Sequence, residues 1–140
     1  MKLSDAASYL AKSATDCARI ASTAIRQITD DLHARGFRVA GCAVLLGSGR
    51  AMPPLEKILA AHPMLHTAEG IFFRKVFQDA FERLNFPVTG FRERDMDESL
   101  ESAFGRSVPA IQRKIAAAGK SLGPPWAADQ KLAALAACMV

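Results

Sequence analysis

Apolar residues recur at steps of three and four from Leu10 through Ala14, Cys17, Ala21, Ile25 and Ile28 to Leu32. That spacing lays one stripe along a helix. Ser4 or Asp5 can cap its start and Gly36 supplies its stop, so a helix is predicted up to about Arg35. About thirty residues of helix span roughly 45 Å. A compact domain of this chain's length is only about 37 Å across by size scaling. The helix is therefore expected to overhang the core, break, or pack on a second subunit.

The pattern then changes. Phe37 to Leu46 (FRVAGCAVLL) is nearly all apolar, as in a strand buried on both faces of a parallel sheet. It ends in the polar loop Gly47-Ser48-Gly49-Arg50. Pro53-Pro54 opens a short helix through about Ala61, and Pro63 is expected to break it. A longer helix is predicted from about Leu65 to Leu84. Its row is Ala68, Phe72, Val76, Ala80 and Leu84, with Phe73, Phe77 and Phe81 beside it. Asn85-Phe86-Pro87 ends it, and Val88 to Phe91 reads as a short strand. Asp95 or Asp97 can cap a helix to Phe104, and Ser107 with Pro109 starts another that ends near Gly119. After the stiff turn Gly123-Pro124-Pro125-Trp126, a last helix carries Leu132, Leu135 and Met139 on its apolar side.

A strand-helix-strand unit with a right-handed crossover makes its strands parallel. The expected fold class is thus a helix-rich α/β chain, with a small parallel strand pair and covering helices. It is read as one domain, with residues 1–36 as the long helix and 37–140 as the α/β core. Two strands alone do not make a stable sheet.

Composition narrows the classes. Half of the 140 residues are hydrophobic and 23% are charged, enough for a buried core and against general disorder. No apolar run approaches the roughly eighteen residues of a membrane span, and the N-terminus lacks a secretory apolar region. A cytoplasmic protein without a membrane partner is expected. The net charge of +4 comes from dispersed basic residues, which suits solubility more than a nucleic-acid footprint. Cys17, Cys42 and Cys138 are far apart and form no CxxC pair. They read as buried thiols in a reducing compartment, not a zinc or redox motif.

Asp129-Gln130-Lys131-Leu132-Ala133-Ala134-Leu135-Ala136-Ala137 resembles the terminal helix of RuvC-type Holliday-junction resolvases. There an acidic residue opens an alanine-rich helix and helps bind the catalytic metal. The segment from Arg38 to Met96 is similar to the resolvase order of buried strand, helix and short strand. Together they cover roughly residues 15 to 140 and resemble the C-terminal part of a ribonuclease-H-like fold. The blocks LLGSGRAMPPLEKILAAHPMLHTAEG and GPPWAADQKLAALAA resemble more closely a bacterial family of uncharacterised proteins, which carries no activity to transfer.

The ribonuclease-H-like resemblance implies a domain that engages nucleic acid. It implies Glu69 and Asp129 as carboxylates near the strand ends, joined there by Arg50, with Mg or Mn if a nuclease operates. Two departures weigh against cleavage. The chain begins at the long helix, without the meander strand that carries the family's first aspartate. The middle strand ends Val44-Leu45-Leu46-Gly47 with no acid. Two-metal cleavage needs several carboxylates around ions about 4 Å apart. The resemblance thus implies a shortened domain, about forty residues less than a full one. Such a domain either completes its sheet with a partner or lacks nuclease activity.

Other residues offer chemistry independently. His62, His66 and Glu69 stand at i, i+4 and i+7, a face with two imidazoles and a carboxylate. Pro63 between them predicts a bend that removes His62. The alternatives are a His66–Glu69 pair one turn apart, or a helix start favoured by Glu69. Ser48, Gly49 and Arg50 follow the buried strand, where open α/β sheets bind ligands, and Arg50 can grip an anion. Arg92 follows the second strand and can join them. The competing reading is a solvated turn with surface ion pairs. Asp129 is a metal ligand or a first-turn dipole residue, and Lys131 beside it is a ligand contact or merely solvated. Trp126 is a packing lid or a base-stacking platform. Three functions follow: nucleic-acid engagement with weak or no catalysis, non-enzymatic homo-oligomeric assembly through the N-terminal helix or a sheet edge, and binding of a small anion or phosphometabolite at residues 48–50.

Overall fold

The computed structural model describes residues 3–47 and 51–140. Among them the order is α1 (Leu3–Ala34), β1 (Cys42–Leu45), α2 (Leu55–Leu59), α3 (His62–Arg83), β2 (Val88–Phe91), α4 (Met96–Phe104), α5 (Val108–Leu122) and α6 (Ala128–Ala137). The chain is helix-rich α/β, and its two strands form a small parallel sheet. It divides into two compact units. One holds α1, α2 and α3. The other holds β1, β2 from Thr89 onward, α4, α5 and α6.

In the helical unit, both long helices stop as their sequences predict. Gly36 takes φ of 84° after α1. The Phe37 N–H then reaches Leu32 O and the Gly36 N–H reaches His33 O, both at 2.9 Å. Asn85 does the same after α3 with φ of 61°, while the Phe86 N–H reaches Phe81 O at 3.0 Å and the Asn85 N–H reaches Glu82 O at 2.9 Å. These paired bonds satisfy carbonyls that a helix end leaves open. The Phe81 and Phe86 rings meet edge-on across the second stop, the apolar contact that accompanies this motif.

The predicted stripes of α1 and α3 pack on each other. Ala21 and Ile25 meet Val76 and Ala80, flanked by Cys17, Phe72, Phe81 and Leu84. Toward the ends of the same α1 stripe, Leu10 and Ile28 stay exposed. The 32-residue helix runs unbroken. One expectation fails. The helix placed from Leu65 begins at His62, with Pro63 in its first turn. Proline is tolerated there because the first-turn N–H groups lack intrahelical partners anyway. Pro63 therefore opens α3 instead of bending it.

In the other unit, Met96 and Leu100 of α4 pack with Leu135 and Ala136 of α6. Leu132 and Met139 join them, as do Ala43, Leu45 and Phe91 from the strands. The apolar side predicted for the last helix is the side it buries. The first strand is a correction. Only Cys42–Leu45 is strand, not Phe37 to Leu46, and its residues are half-buried instead of enclosed on both faces. Its partner explains the length. β2 is four residues long, preceded by Pro87, which lacks an N–H for the ladder, and followed at Glu93 by a helical turn. Phe37 is already committed to the α1 stop. Gly90 lets the Leu46 side chain lie against β2: a Cβ there would come 2.7 Å from Leu46 Cδ1, so that side chain would have to shift.

Trp126 acts as a packing lid. Its indole N–H donates to Ile115 O of α5 at 2.9 Å, and its ring lies over Gly119, leaving no room for a Cβ. The turn before it contains a cis Pro124–Pro125 bond. The thiols are less buried than expected: Cys17 and Cys42 are half-buried and Cys138 is exposed, all of them free. Cys138 follows Ala137 at the end of α6 and falls off the helix's buried side.

Gly119→Ala should destabilise the protein. Its overpacking cost of about 1–3 kcal/mol exceeds the roughly 1 kcal/mol that alanine gains over glycine in a helix. A lower denaturation midpoint with altered Trp126 fluorescence is the expected result; an unchanged or raised midpoint would contradict the packing described.

Candidate functional site

The start of α3 gathers the only side-chain cluster foreseen from spacing. Because the helix begins at His62, positions 62, 66 and 69 share one face. His62 Nε2 and His66 Nε2 are 3.2 Å apart, and their rings meet edge-on with centroids 4.7 Å apart. On the other edge of His66, Nδ1 lies 3.7 Å from Glu69 Oε2. The expected loss of His62 through a bend does not occur. Both His66 and Glu69 are solvent-facing. Among the described residues, no three His, Cys, Asp or Glu side chains are arranged to hold a metal ion together. The trio is thus a chain of contacts, carboxylate to imidazole to imidazole.

A second feature went unforeseen. A groove of about 440 Å³ lies between α1 and α3, walled by Ala14, Ala18, Phe72 and Val76. Lys75 and Asp79, one turn apart, form an ion pair on its lining. The signal was present in the small residues Ala14 and Ala18. Alanines on a contact stripe leave volume that larger side chains would fill.

The remaining candidates are dispersed. Arg92 Nε lies 2.6 Å from Asp95 Oδ2 and Arg94 Nε lies 3.5 Å from Asp95 Oδ1. Arg92 is thereby engaged in an ion pair of the competing kind. The same contacts occupy Asp95, which stands at the start of α4 without a side-chain capping bond. Ser107 likewise precedes α5 without one. Asp129 is exposed in the first turn of α6, and Lys131 is half-buried on the same helix. The Ala127 N–H at that helix start donates to Gln130 Oε1 at 2.9 Å. No hydrogen bond or ion pair among the described residues joins Arg92 to Asp129 or Lys131. Glu69 belongs to the helical unit and Asp129 to the other. Ser48, Gly49 and Arg50 lie outside the described residues.

Burial pushes the Cys42 thiol above its ordinary range, because a thiolate loses more hydration than a thiol. Cys42 is therefore a poor nucleophile at neutral pH.

No family model matches the chain, and no curated protein or solved structure matches it either. Among the described residues, no helix is long and apolar enough to cross a membrane.

Cys138 should react with iodoacetamide well before Cys42, as read by peptide mass spectrometry on the native protein. Equal rates would show that Cys42 is not shielded. The raised Cys42 value also fixes a sign. Above the ordinary thiol range the unfolded chain releases this proton first, so folding stability falls as pH climbs toward the folded value. Cys42→Ser should flatten that alkaline decline.

Proposed function

We propose that this chain is a non-enzymatic assembly protein that pairs with a second copy through its helical unit. The observation that carries this reading is the exposed apolar surface of two helices already packed together. Ile20 and Ile28 of α1 are 58% and 59% exposed, and Phe73 and Phe77 of α3 are 45% and 46% exposed. Phe73 and Phe77 each sit one position beyond a seam residue, Phe72 and Val76, about a quarter turn around the helix. The five-residue α2 also packs on α3, but it leaves Ile20, Ile28, Phe73 and Phe77 exposed. A core requires a further layer against the remaining apolar sides of α1 and α3. A second copy supplies two helices of the same kind, and four such helices close a bundle. The long α1, about 48 Å at the usual rise, offers the length such an interface needs. Self-pairing also places identical residues opposite each other about a two-fold axis.

A second reading rests on a different observation. The two strands form a small parallel pair covered by α4 and α6, the arrangement that the ribonuclease-H-like resemblance implies. On this reading the chain engages nucleic acid without a committed cleavage step. A labelled four-way junction titrated at low salt tests it by anisotropy. Binding that weakens steeply with salt supports it, and no binding at about 50 mM salt removes it.

For the assembly reading, light scattering at about 100 µM protein should return twice the 15.0 kDa chain mass. The Phe73→Glu/Phe77→Glu double variant should shift to monomer with its helical circular dichroism retained. A wild-type monomer at that concentration would overturn the assembly reading.

A further inference from the structure

We infer that His62 and His66 form a two-nitrogen clamp for a divalent late transition ion of the zinc class. Two of the chain's three histidines stand one turn apart, and their Nε2 atoms are 3.2 Å from each other. With metal–nitrogen bonds of about 2.1 Å, that separation corresponds to an N–metal–N angle of about 100°. The value falls between the octahedral and tetrahedral angles, so the spacing needs little adjustment to accept an ion.

Glu69 supplies the outer contact such a site uses. Its Oε2 lies 3.7 Å from His66 Nδ1, and closing that gap to a hydrogen bond would place the proton on that nitrogen. The His66 Nε2 lone pair then faces His62. Metal-bound histidines commonly direct their other N–H to a carboxylate in this way. Without metal, the 3.2 Å contact is a hydrogen bond from one Nε2–H to the other Nε2. On binding, the ion replaces that shared proton, which moves to His62 Nδ1. The proton count does not change, and no oxidant or reductant is required.

The donor set selects the ion. Imidazole nitrogens suit zinc, nickel and copper, whereas magnesium and calcium demand oxygen ligands. Two protein ligands leave the remaining positions to water or another ligand. Both rings are at the surface of α3, so the ion reaches them without unfolding the helix.

The test is a Zn(II) titration of the full chain followed by the imidazole nitrogen resonances. His62 and His66 should shift together and saturate below about 1 mM Zn(II), while His33 in the last turn of α1 stays put. His62→Ala and His66→Ala should each weaken the binding seen at the remaining clamp histidine by more than about tenfold, and Glu69→Gln by about tenfold. Circular dichroism of each variant confirms that α3 persists. No shift of His62 and His66, an equal shift of all three histidines, or unchanged affinity in His62→Ala would overturn the clamp.

Discussion

The smallness of the sheet governs one half of this protein. β1 and β2 each contribute four residues, and a strand pair that short has no independent stability. Its apolar side must be closed by helices. Ala43, Leu45 and Phe91 therefore pack beneath α4 and α6, where Leu100 and Ala136 are essentially inaccessible to water. Trp126 extends this logic at the far end of α5. It ties the turn before α6 to Ile115 and presses on Gly119, fixing the direction from which α6 starts.

The helical unit has the opposite economy. The seam between α1 and α3 is built from small residues, Ala21 and Ala80, beside Ile25 and Val76. Small residues bring helix axes close, but they bury little apolar area. Much of the larger apolar surface of α1 and α3 stays outside the seam. A core of that kind is stable in proportion to what it is packed against.

Much of this was legible along the chain. The three-and-four steps from Leu10 to Leu32 mark α1, and Gly36 and Asn85 mark the helix stops, because these signals are local and act through backbone geometry. What needed a partner was not legible. The FRVAGCAVLL run contains enough apolar residues for ten positions of strand, yet the extent of pairing depends on Pro87 and on the turn after β2. Gly119 reads as the end of a helix, whereas α5 continues to Leu122 with Trp126 lying over Gly119. At the candidate site, the spacing of His62, His66 and Glu69 was visible, whereas their contact depended on whether Pro63 starts a helix or breaks one. From sequence, Arg92 fits either a ligand contact or, more commonly, a surface ion pair, and the position of Asp95 makes it the ion pair. The ribonuclease-H-like resemblance rests on element order and on one alanine-rich helix. The carboxylates it implies, Glu69 and Asp129, belong to separate units.

The path of the chain through its two units has a further consequence. β1 is threaded between α1 and α3, so each unit is interrupted by a segment of the other. A fragment beginning after Phe91 would keep α4, α5 and α6 but lose both strands they cover. A fragment ending before α3 would keep α1 but lose its seam. During synthesis from the N-terminus, α1 and β1 both emerge before their partners, and the closure entropy of each contact spans the intervening helices. No single cut along the sequence separates one unit from the other.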